Sequence, residues 1–122
     1  MILVDTSVWI DHLRSTNQRL ATLLASNSVL AHPFVVGELA LGTLRHPEDV
    51  LGALGKLPQA VRAQDAEVLL LIQARNLTGL GIGYVDVHLL ASTMLTRDAS
   101  LWTHDKRLAA LASQLSLAPR FE

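Results

Sequence analysis

Short apolar segments alternate with longer, helix-like segments along the chain. Residues 1–4 are all apolar, which is typical of a strand buried on both faces of a parallel sheet. Residues 28–31 and 101–103 have a similar character, and residues 57–61 are a further strand candidate. Strands that alternate with helices predict βαβ units, so we expect an α/β fold built around a parallel sheet.

Capping residues mark where the predicted helices begin. In chain order they are Thr6 and Ser7, Thr16 or Asn17, Pro33, and Pro47 followed by Glu48 and Asp49. The first of these helices is expected to run to about Arg14. A long apolar helix is expected from about Ala63 to Leu77, and the glycine-rich residues 78–83 end it. Two more helices follow, the first extending to about Arg97 and the second running from Asp105 to about Gln114.

Four acidic residues lie where the pattern is otherwise apolar. Glu38 and Asp86 each share a predicted helix face with hydrophobic residues. A carboxylate that points inward is costly unless it is paired or bound to a metal. Asp5 directly follows the first strand, and Asp105 follows the strand at residues 101–103. Because sites in parallel sheets form at the carboxyl ends of strands, the four acids predict one cation site.

Each acid also has a simpler interpretation. Asp5 and Asp105 are suitable helix caps. Glu38 is able to turn outward beside Gly42 or to pair with Arg45, and Asp86 is placed to favour the helix dipole. The joint arrangement favours a metal, because clustered carboxylates repel: at an effective dielectric constant near 20, two charges about 5 Å apart cost roughly 3 kcal/mol. Carboxylate oxygens are ligands that suit Mg²⁺ or Mn²⁺.

Composition narrows the class of protein. The chain has 122 residues and no cysteine, so we expect a single domain at 1–122 without disulfides or thiolate zinc sites. No apolar stretch reaches the length of a membrane span, and the N-terminus lacks the basic region of a signal peptide. We therefore expect a cytoplasmic protein with no membrane partner. Half of the residues are hydrophobic and 17% are charged, which predicts contact with another chain.

The net charge of −1 is not that of a typical nucleic-acid-binding protein. Without the four acids described above, however, seven acidic residues remain against ten Lys and Arg. If divalent cations neutralise those four acids, the working protein is mildly basic. Net charge therefore neither excludes nor indicates a phosphodiester substrate.

The segments around all four acids resemble the successive acidic motifs of a PIN domain. They are Val4-Asp5-Thr6-Ser7-Val8-Trp9-Ile10, the helix with Glu38, Gly83-Tyr84-Val85-Asp86-Val87-His88-Leu89-Leu90-Ala91-Ser92, and Leu101-Trp102-Thr103-His104-Asp105-Lys106-Arg107-Leu108. The match covers essentially the whole chain in order, and it is closest to the VapC-type toxins of bacterial toxin–antitoxin pairs. The resemblance implies a three-layer α/β/α sandwich with a central parallel sheet of about four to five strands.

The resemblance also implies an activity, a cofactor and partners. We expect an endoribonuclease toxin that hydrolyses RNA phosphodiester bonds through a water activated by one or two Mg²⁺ or Mn²⁺ ions. The expected partners are RNA, a second copy of the chain in a homodimer, and a small VapB-like antitoxin that supplies an Arg or Lys to the acidic pocket. The alternatives are a non-catalytic PIN-fold module that binds RNA or protein, and a housekeeping nuclease for RNA maturation.

Residue roles follow from the positions that match the family's motifs. The catalytic and metal-binding acids are expected to be Asp5, Glu38, Asp86 and Asp105, and the first and third of these are the best candidates for direct ligands. Hydroxyl groups that orient carboxylates or waters are expected at Thr6, Ser7 and Thr103, for which helix capping is the alternative role. Possible RNA contacts are Arg14, Arg45, His104, Lys106 and Arg107.

The five histidines do not have the spacing of a zinc site. His104 adjoins Asp105 and is the one expected to approach a phosphate. The others are expected at the surface or as helix caps, and they are His12, His32, His46 and His88.

Overall fold

Three short strands form a parallel sheet around which the helices pack. The computed structural model describes residues 1–121. The strands are β1 (Ile2–Val4), β2 (Val29–Leu30) and β3 (Ser100–Trp102), and their order in the sheet is β2-β1-β3. The helices are α1 (Thr6–Arg14), α2 (Gln18–Ala25), α3 (Pro33–Leu41), α4 (Pro47–Gly55), α5 (Asp65–Ala74), α6 (Tyr84–Leu95) and α7 (Lys106–Gln114). The predicted α/β fold with parallel strands is confirmed.

β1 is the central strand, and its residues pair with both neighbours. Ile2 lies opposite Val29 in β2 and opposite Ser100 in β3. Successive side chains of a strand point to opposite faces of the sheet, and Leu3 and Val4 are both fully buried. The two faces of β1 are therefore both covered, as is usual for a parallel sheet.

The sheet is smaller than predicted, because residues 57–61 do not form a strand. Within the described chain, this segment pairs through one isolated parallel bridge, between Ala31 and Gln59. Pro58 has no N–H to donate to a ladder, and the N–H of Val61 donates to a threonine hydroxyl over 2.9 Å. Pairing therefore ends after one bridge, and residues 1–121 contain three strands instead of four to five.

The helix starts follow most of the predicted capping residues, with one correction at α1. Asp5 is the N-cap of α1 and Thr6 is its first helical residue, so Thr6 and Ser7 are not the caps. The predicted cap at Asn17 is confirmed, because its side-chain oxygen accepts the N–H of Leu20 over 3.0 Å. The hydroxyl groups at the start of α1 are consequently free to bond to other side chains.

α5 is shorter than the predicted helix at both ends. It covers Asp65–Ala74 instead of residues 63–77. Oε1 of Glu67 accepts the Gln64 N–H over 2.9 Å, which fixes the start of the helix. Asn76 has a φ of +54°, a left-handed conformation that follows the end of the helix.

α6 passes through the core and carries one of the predicted site acids. All seven residues from 87 to 93 are buried, so the helix packs on every side. Asp86 lies in the first turn, just before this buried section. The helix ends at Leu95, two residues before the predicted end. Within residues 1–121, none of the helices has the length and apolar character needed to cross a membrane.

Candidate active site

Two of the four predicted acids follow neighbouring strands of the sheet. Asp5 comes directly after β1, and Asp105 follows β3 by three residues. Because β1 and β3 are adjacent and parallel, both acids lie beyond the same edge of the sheet. Glu38 comes to this region from α3 and Asp86 from the first turn of α6.

Asp5 is buried and held by two hydroxyl groups. Its side chain is 6% exposed. Oδ2 accepts hydrogen bonds from the Ser7 hydroxyl over 2.8 Å and from the Thr103 hydroxyl over 2.7 Å. These bonds fix the orientation of a carboxylate that burial would otherwise disfavour.

The same two hydroxyl groups hold the loop that follows β3. Oγ of Ser7 accepts the backbone N–H of His104 over 3.0 Å, and Oγ1 of Thr103 accepts that of Asp105 over 3.1 Å. The loop is thereby tied to Asp5 through two side chains. Oδ1 of Asp105 also accepts the N–H of Leu108 over 2.9 Å, which makes Asp105 the N-cap of α7.

Glu38 is held at the edge of the site by a hydroxyl group of α1. The Thr6 hydroxyl donates to Oε1 of Glu38 over 2.8 Å. The expectation that Glu38 faces the interior is wrong, because its side chain is exposed. Leu41, which lies three residues after Glu38 and so on the same side of α3, is also exposed, at 91%. The apolar residues of α3 therefore extend beyond its buried face, and Glu38 needs no partner to compensate for burial.

The pKa of Asp86 depends on the charges of the other three acids. Burial raises the pKa of Asp86 above its ordinary value, and the charge of Asp5 is the next largest cause. The charges of Asp105 and Glu38 raise this pKa by smaller amounts, and the hydrogen bond from the Gly83 N–H opposes them. That bond reaches Oδ2 of Asp86 over 3.4 Å. The charges of three acids from three other segments therefore all act on Asp86.

The donor set fits a hard divalent cation that keeps part of its water shell. In residues 1–121, no three His, Asp or Glu side chains are grouped closely enough to enclose a metal ion by themselves. Mg²⁺ does not require such a cage, since it retains several waters and commonly uses one or two carboxylates together with a substrate phosphate. Asp5 and Asp86 offer such carboxylates. In each, the hydrogen bonds from the protein engage only one of the two oxygens, Oδ2.

Two of the predicted RNA contacts lie beside Glu38 in one groove. Arg14 and Arg45 line a cavity of about 600 Å³ between α1, α3 and α4, and Glu38 forms part of its wall. Apolar side chains complete the lining, including Ile10 and Leu13. The groove therefore combines an apolar floor with two cations and one acid of the cluster.

The other three predicted contacts lie at the start of α7. His104, Lys106 and Arg107 are all exposed. Nδ1 of His104 is bonded to Oδ2 of Asp11 in α1. Because a carboxylate only accepts hydrogen bonds, Nδ1 carries the hydrogen in this pair.

Two histidines that were expected at the surface or as caps are fully buried. His32 is indeed the cap of α3, since its Nδ1 accepts the N–H of Phe34 over 3.0 Å. His88 is not a surface residue: it is 1% exposed, and its Nε2 lies 3.0 Å from Oδ1 of Asp65. The Tyr84 hydroxyl donates to the same oxygen over 3.2 Å. The sequence gives no spacing signal for a pair that is 23 residues apart.

The comparisons with known proteins agree on one family. Residues 2–114 match the sequence profile of the PIN domain. The chain is 47% identical over 118 residues to a protein named Ribonuclease VapC32 from Mycobacterium tuberculosis, in the strain CDC 1551 / Oshkosh. The match covers 97% of this chain and 95% of that protein. The protein of the same name from strain ATCC 25618 / H37Rv has the same identity and coverage.

Proposed function

The chain belongs to the PIN-domain family, among the VapC-type ribonucleases, and we propose that it is a metal-dependent endoribonuclease toxin. It hydrolyses phosphodiester bonds of RNA at the carboxylate cluster of Asp5, Glu38, Asp86 and Asp105. The observation that carries this proposal is the convergence of the four acids: Thr103 bonds to both Asp5 and Asp105, and the charges of Asp5, Asp105 and Glu38 raise the pKa of Asp86. A cluster of like charges is costly unless a cation neutralises it.

Asp5 and Asp86 are proposed as the direct ligands of one or two Mg²⁺ or Mn²⁺ ions, and Glu38 and Asp105 as the acids that complete the site. When bound, the cation lowers the pKa of water and stabilises negative charge on the phosphate oxygens. The hydroxyl groups of Ser7 and Thr103 keep the Asp5 carboxylate in one orientation. Side chains held in this way act without reorganisation when the phosphodiester reacts.

The intact cluster favours a nuclease over a non-catalytic binding module of the same fold. A binding module has no need for four carboxylates whose mutual repulsion lowers its stability. A toxin is favoured over a housekeeping nuclease because the relatives over nearly the full length carry the name VapC. A housekeeping enzyme remains the second candidate, since the same site would serve it.

The lining of the groove between α1, α3 and α4 supports the proposal that an antitoxin binds there and covers the site. Its apolar floor fits an apolar helix, and Glu38 in its wall fits a cationic side chain. We propose that a VapB-like antitoxin lays such a helix in the groove and extends an Arg or Lys to the acid cluster. A guanidinium bonded to carboxylate oxygens would occupy the place of the metal.

Exposed apolar side chains on α5 and α6 support a homodimer. Leu69 and Leu70 of α5 are 56% and 64% exposed, and Met94 and Leu95 of α6 are each 44% exposed. We propose that a second copy of the chain covers this surface. Light scattering should give the mass of two chains, and Leu70→Glu should reduce it to one. An unchanged mass for Leu70→Glu would place the dimer contact elsewhere.

Cleavage of cellular RNA tests the proposed function. The purified protein should produce new 5′ ends in total RNA with Mg²⁺ or Mn²⁺ and none in excess EDTA. Expression of the chain with and without its antitoxin should separate a toxin from a housekeeping nuclease, because only the toxin arrests growth when expressed alone. RNA that stays intact under all these conditions would contradict the proposal.

A further inference from the structure

The side chain of Arg107 lies directly against Gly81. A Cβ atom added to Gly81 would lie 2.0 Å from Nη1 of Arg107, 3.0 Å from Cζ and 3.3 Å from Cδ. No side chain other than the hydrogen of glycine fits at position 81 while the guanidinium stays in this place. The guanidinium of Arg107 therefore packs against the backbone of the glycine-rich loop at residues 78–83.

This contact connects the segments that carry two of the site acids. Arg107 follows Asp105 by two residues at the start of α7. Gly81 precedes α6, whose first turn carries Asp86, and the next glycine along, Gly83, donates its N–H to that acid. The guanidinium thus lies where the segment before α6 meets the start of α7.

Arg107 keeps its hydrogen-bonding capacity although Asp105 is only two residues away. Within residues 1–121, neither an ion pair nor a side-chain hydrogen bond joins Arg107 to an acid; the ion pairs are His88–Asp65, Arg97–Asp98 and His104–Asp11. A guanidinium has five N–H donors in a planar fork that matches two phosphate oxygens. The residue is exposed, so an anion from solution can reach those donors.

We propose that Arg107, whose guanidinium occupies the space left by the missing side chain of Gly81, binds a phosphate of the RNA strand beside the acid cluster. This inference rests on the proposed ribonuclease function and adds the residue pair that positions the strand. The phosphate it binds neighbours the one that is cut, because the cluster itself receives the scissile group. The contact carries no information about base identity, since a phosphate is common to every nucleotide.

Gly79 supplies a matched control for Gly81. The two glycines have nearly the same left-handed backbone, with φ values of +77° and +73°. A Cβ at position 79 meets no atom within 4 Å, whereas a Cβ at position 81 meets the guanidinium. Gly79→Ala and Gly81→Ala therefore carry a similar backbone penalty, and only Gly81→Ala displaces Arg107.

The test is the binding and cleavage of a fluorescein-labelled single-stranded RNA of random sequence. Binding is measured by anisotropy with Ca²⁺ in place of Mg²⁺, and cleavage by KM and kcat with Mg²⁺. Arg107→Ala should weaken RNA binding by about tenfold, and in the kinetics it should change KM more than kcat. It should also lower the slope of log K against log[salt] by about 0.7. Gly81→Ala should weaken binding several-fold, while Gly79→Ala should stay within about twofold of the wild type at a similar Tm.

The double variant identifies the cause of the Gly81 effect. In the Arg107→Ala background, Gly81→Ala should add no further loss of RNA binding. An equal loss with and without Arg107, or equal losses for the two glycine variants, would overturn the role of the contact. If Gly81→Ala does not fold, the RNA affinity and the salt slope of Arg107→Ala and Arg107→Lys test the phosphate contact by themselves.

The outcomes separate this inference from the function on which it rests. A wild-type protein that cuts RNA, together with an Arg107→Ala variant of unchanged affinity and salt slope, would overturn the inference and leave the nuclease in place. A wild-type protein that neither binds nor cuts RNA would overturn both.

Discussion

The hydroxyl of Thr103 donates to Oδ2 of Asp5 over 2.7 Å and joins the carboxyl ends of two neighbouring parallel strands. The bond orients a buried carboxylate, and Oγ1 of Thr103 accepts the N–H of Asp105 as well. One side chain thus fixes the positions of two site acids relative to each other.

Replacing Thr103 by valine should therefore lower RNA cleavage. Valine has the shape of threonine but no hydroxyl, so Oδ2 of Asp5 loses one of its two side-chain donors. We expect a loss of about 10- to 100-fold in activity or metal affinity, the usual effect of removing a group that orients a ligand. Thr103→Ser, which keeps the hydroxyl, should retain most of the activity in the same cleavage assay. Equal rates for the wild type and Thr103→Val would show that the bond does not matter for the site.

His32 should make the protein less stable in acid. Burial, followed by the charges of His88 and Arg62, lowers the pKa of His32 from 6.5 to about 4. The unfolded chain therefore binds a proton more readily than the folded chain between these two values, so stability rises with pH across this window. The contribution of neutral His32 to the free energy of unfolding is complete above pH 6.5. It is lost as the pH falls towards 4, and the loss reaches up to about 3 kcal/mol.

Urea unfolding of the metal-free protein at several pH values measures this effect. Nδ1 of His32 accepts the N–H of Phe34, so protonation there breaks the cap of α3, the helix that carries Glu38. His32→Gln cannot titrate and should show a flatter dependence over the same range. If both proteins lose the same free energy of unfolding between pH about 7 and pH about 4, His32 is not the cause.

Mn²⁺ should raise the melting temperature of the metal-free protein. The charges of three other acids raise the pKa of Asp86, which means that the cluster carries unfavourable repulsion when no cation is bound. A cation that binds only the folded state stabilises it by about 2.7 kcal/mol at a concentration of 100 Kd. Asp86→Asn should show a smaller rise in a thermal melt with the same Mn²⁺ series. Rises of equal size in the two proteins would place the ion at another site.

Neutralising an acid of the cluster should weaken the binding of the antitoxin as well as the cleavage of RNA. If an Arg or Lys of the antitoxin enters the cluster, Asp86→Asn should reduce its affinity by about 2–5 kcal/mol in an isothermal titration. The antitoxin's own Arg→Ala variant should lose a similar amount. Affinities for Asp86→Asn that equal those for the wild type would show that the antitoxin blocks RNA without touching the acids.

The positions of the acids could be predicted from the sequence because strand ends are visible in it. An apolar run followed by an acid marks the carboxyl end of a buried strand, and the parallel sheet brings Asp5 and Asp105 to one edge. Asp86 was found because hydrophobic residues surround it on α6, and the structure places it at the edge of a fully buried section. Their roles as metal ligands stay predictions.

Other features could not be predicted because they depend on contacts between distant segments. The pattern around Glu38 indicated burial, yet nothing in it tells whether a neighbouring element covers Leu41, which is 91% exposed. The segment at 57–61 is apolar enough for a strand, but its N–H groups bond elsewhere. The pair of His88 and Asp65 joins two helices, and only their packing brings the two side chains together.

The central claim is that the carboxylate cluster cuts RNA with a divalent cation, and Asp86→Asn tests it most directly. Asparagine keeps the shape of the side chain and its bond to the Gly83 N–H, so the variant should fold with a Tm at least equal to that of the metal-free wild type. Asp98→Asn is the matched control, because this exposed acid lies outside the cluster and its carboxylate pairs only with the exposed Arg97 among the ion pairs described.

The measurement is the rate at which each protein cuts a labelled RNA with Mg²⁺ or Mn²⁺ and in excess EDTA. We predict that the wild type and Asp98→Asn cut at equal rates with the metal and not at all in EDTA. Asp86→Asn should be inactive under both conditions although it is folded. Cleavage by folded Asp86→Asn at the wild-type rate, or cleavage by the wild type in EDTA, would contradict the account.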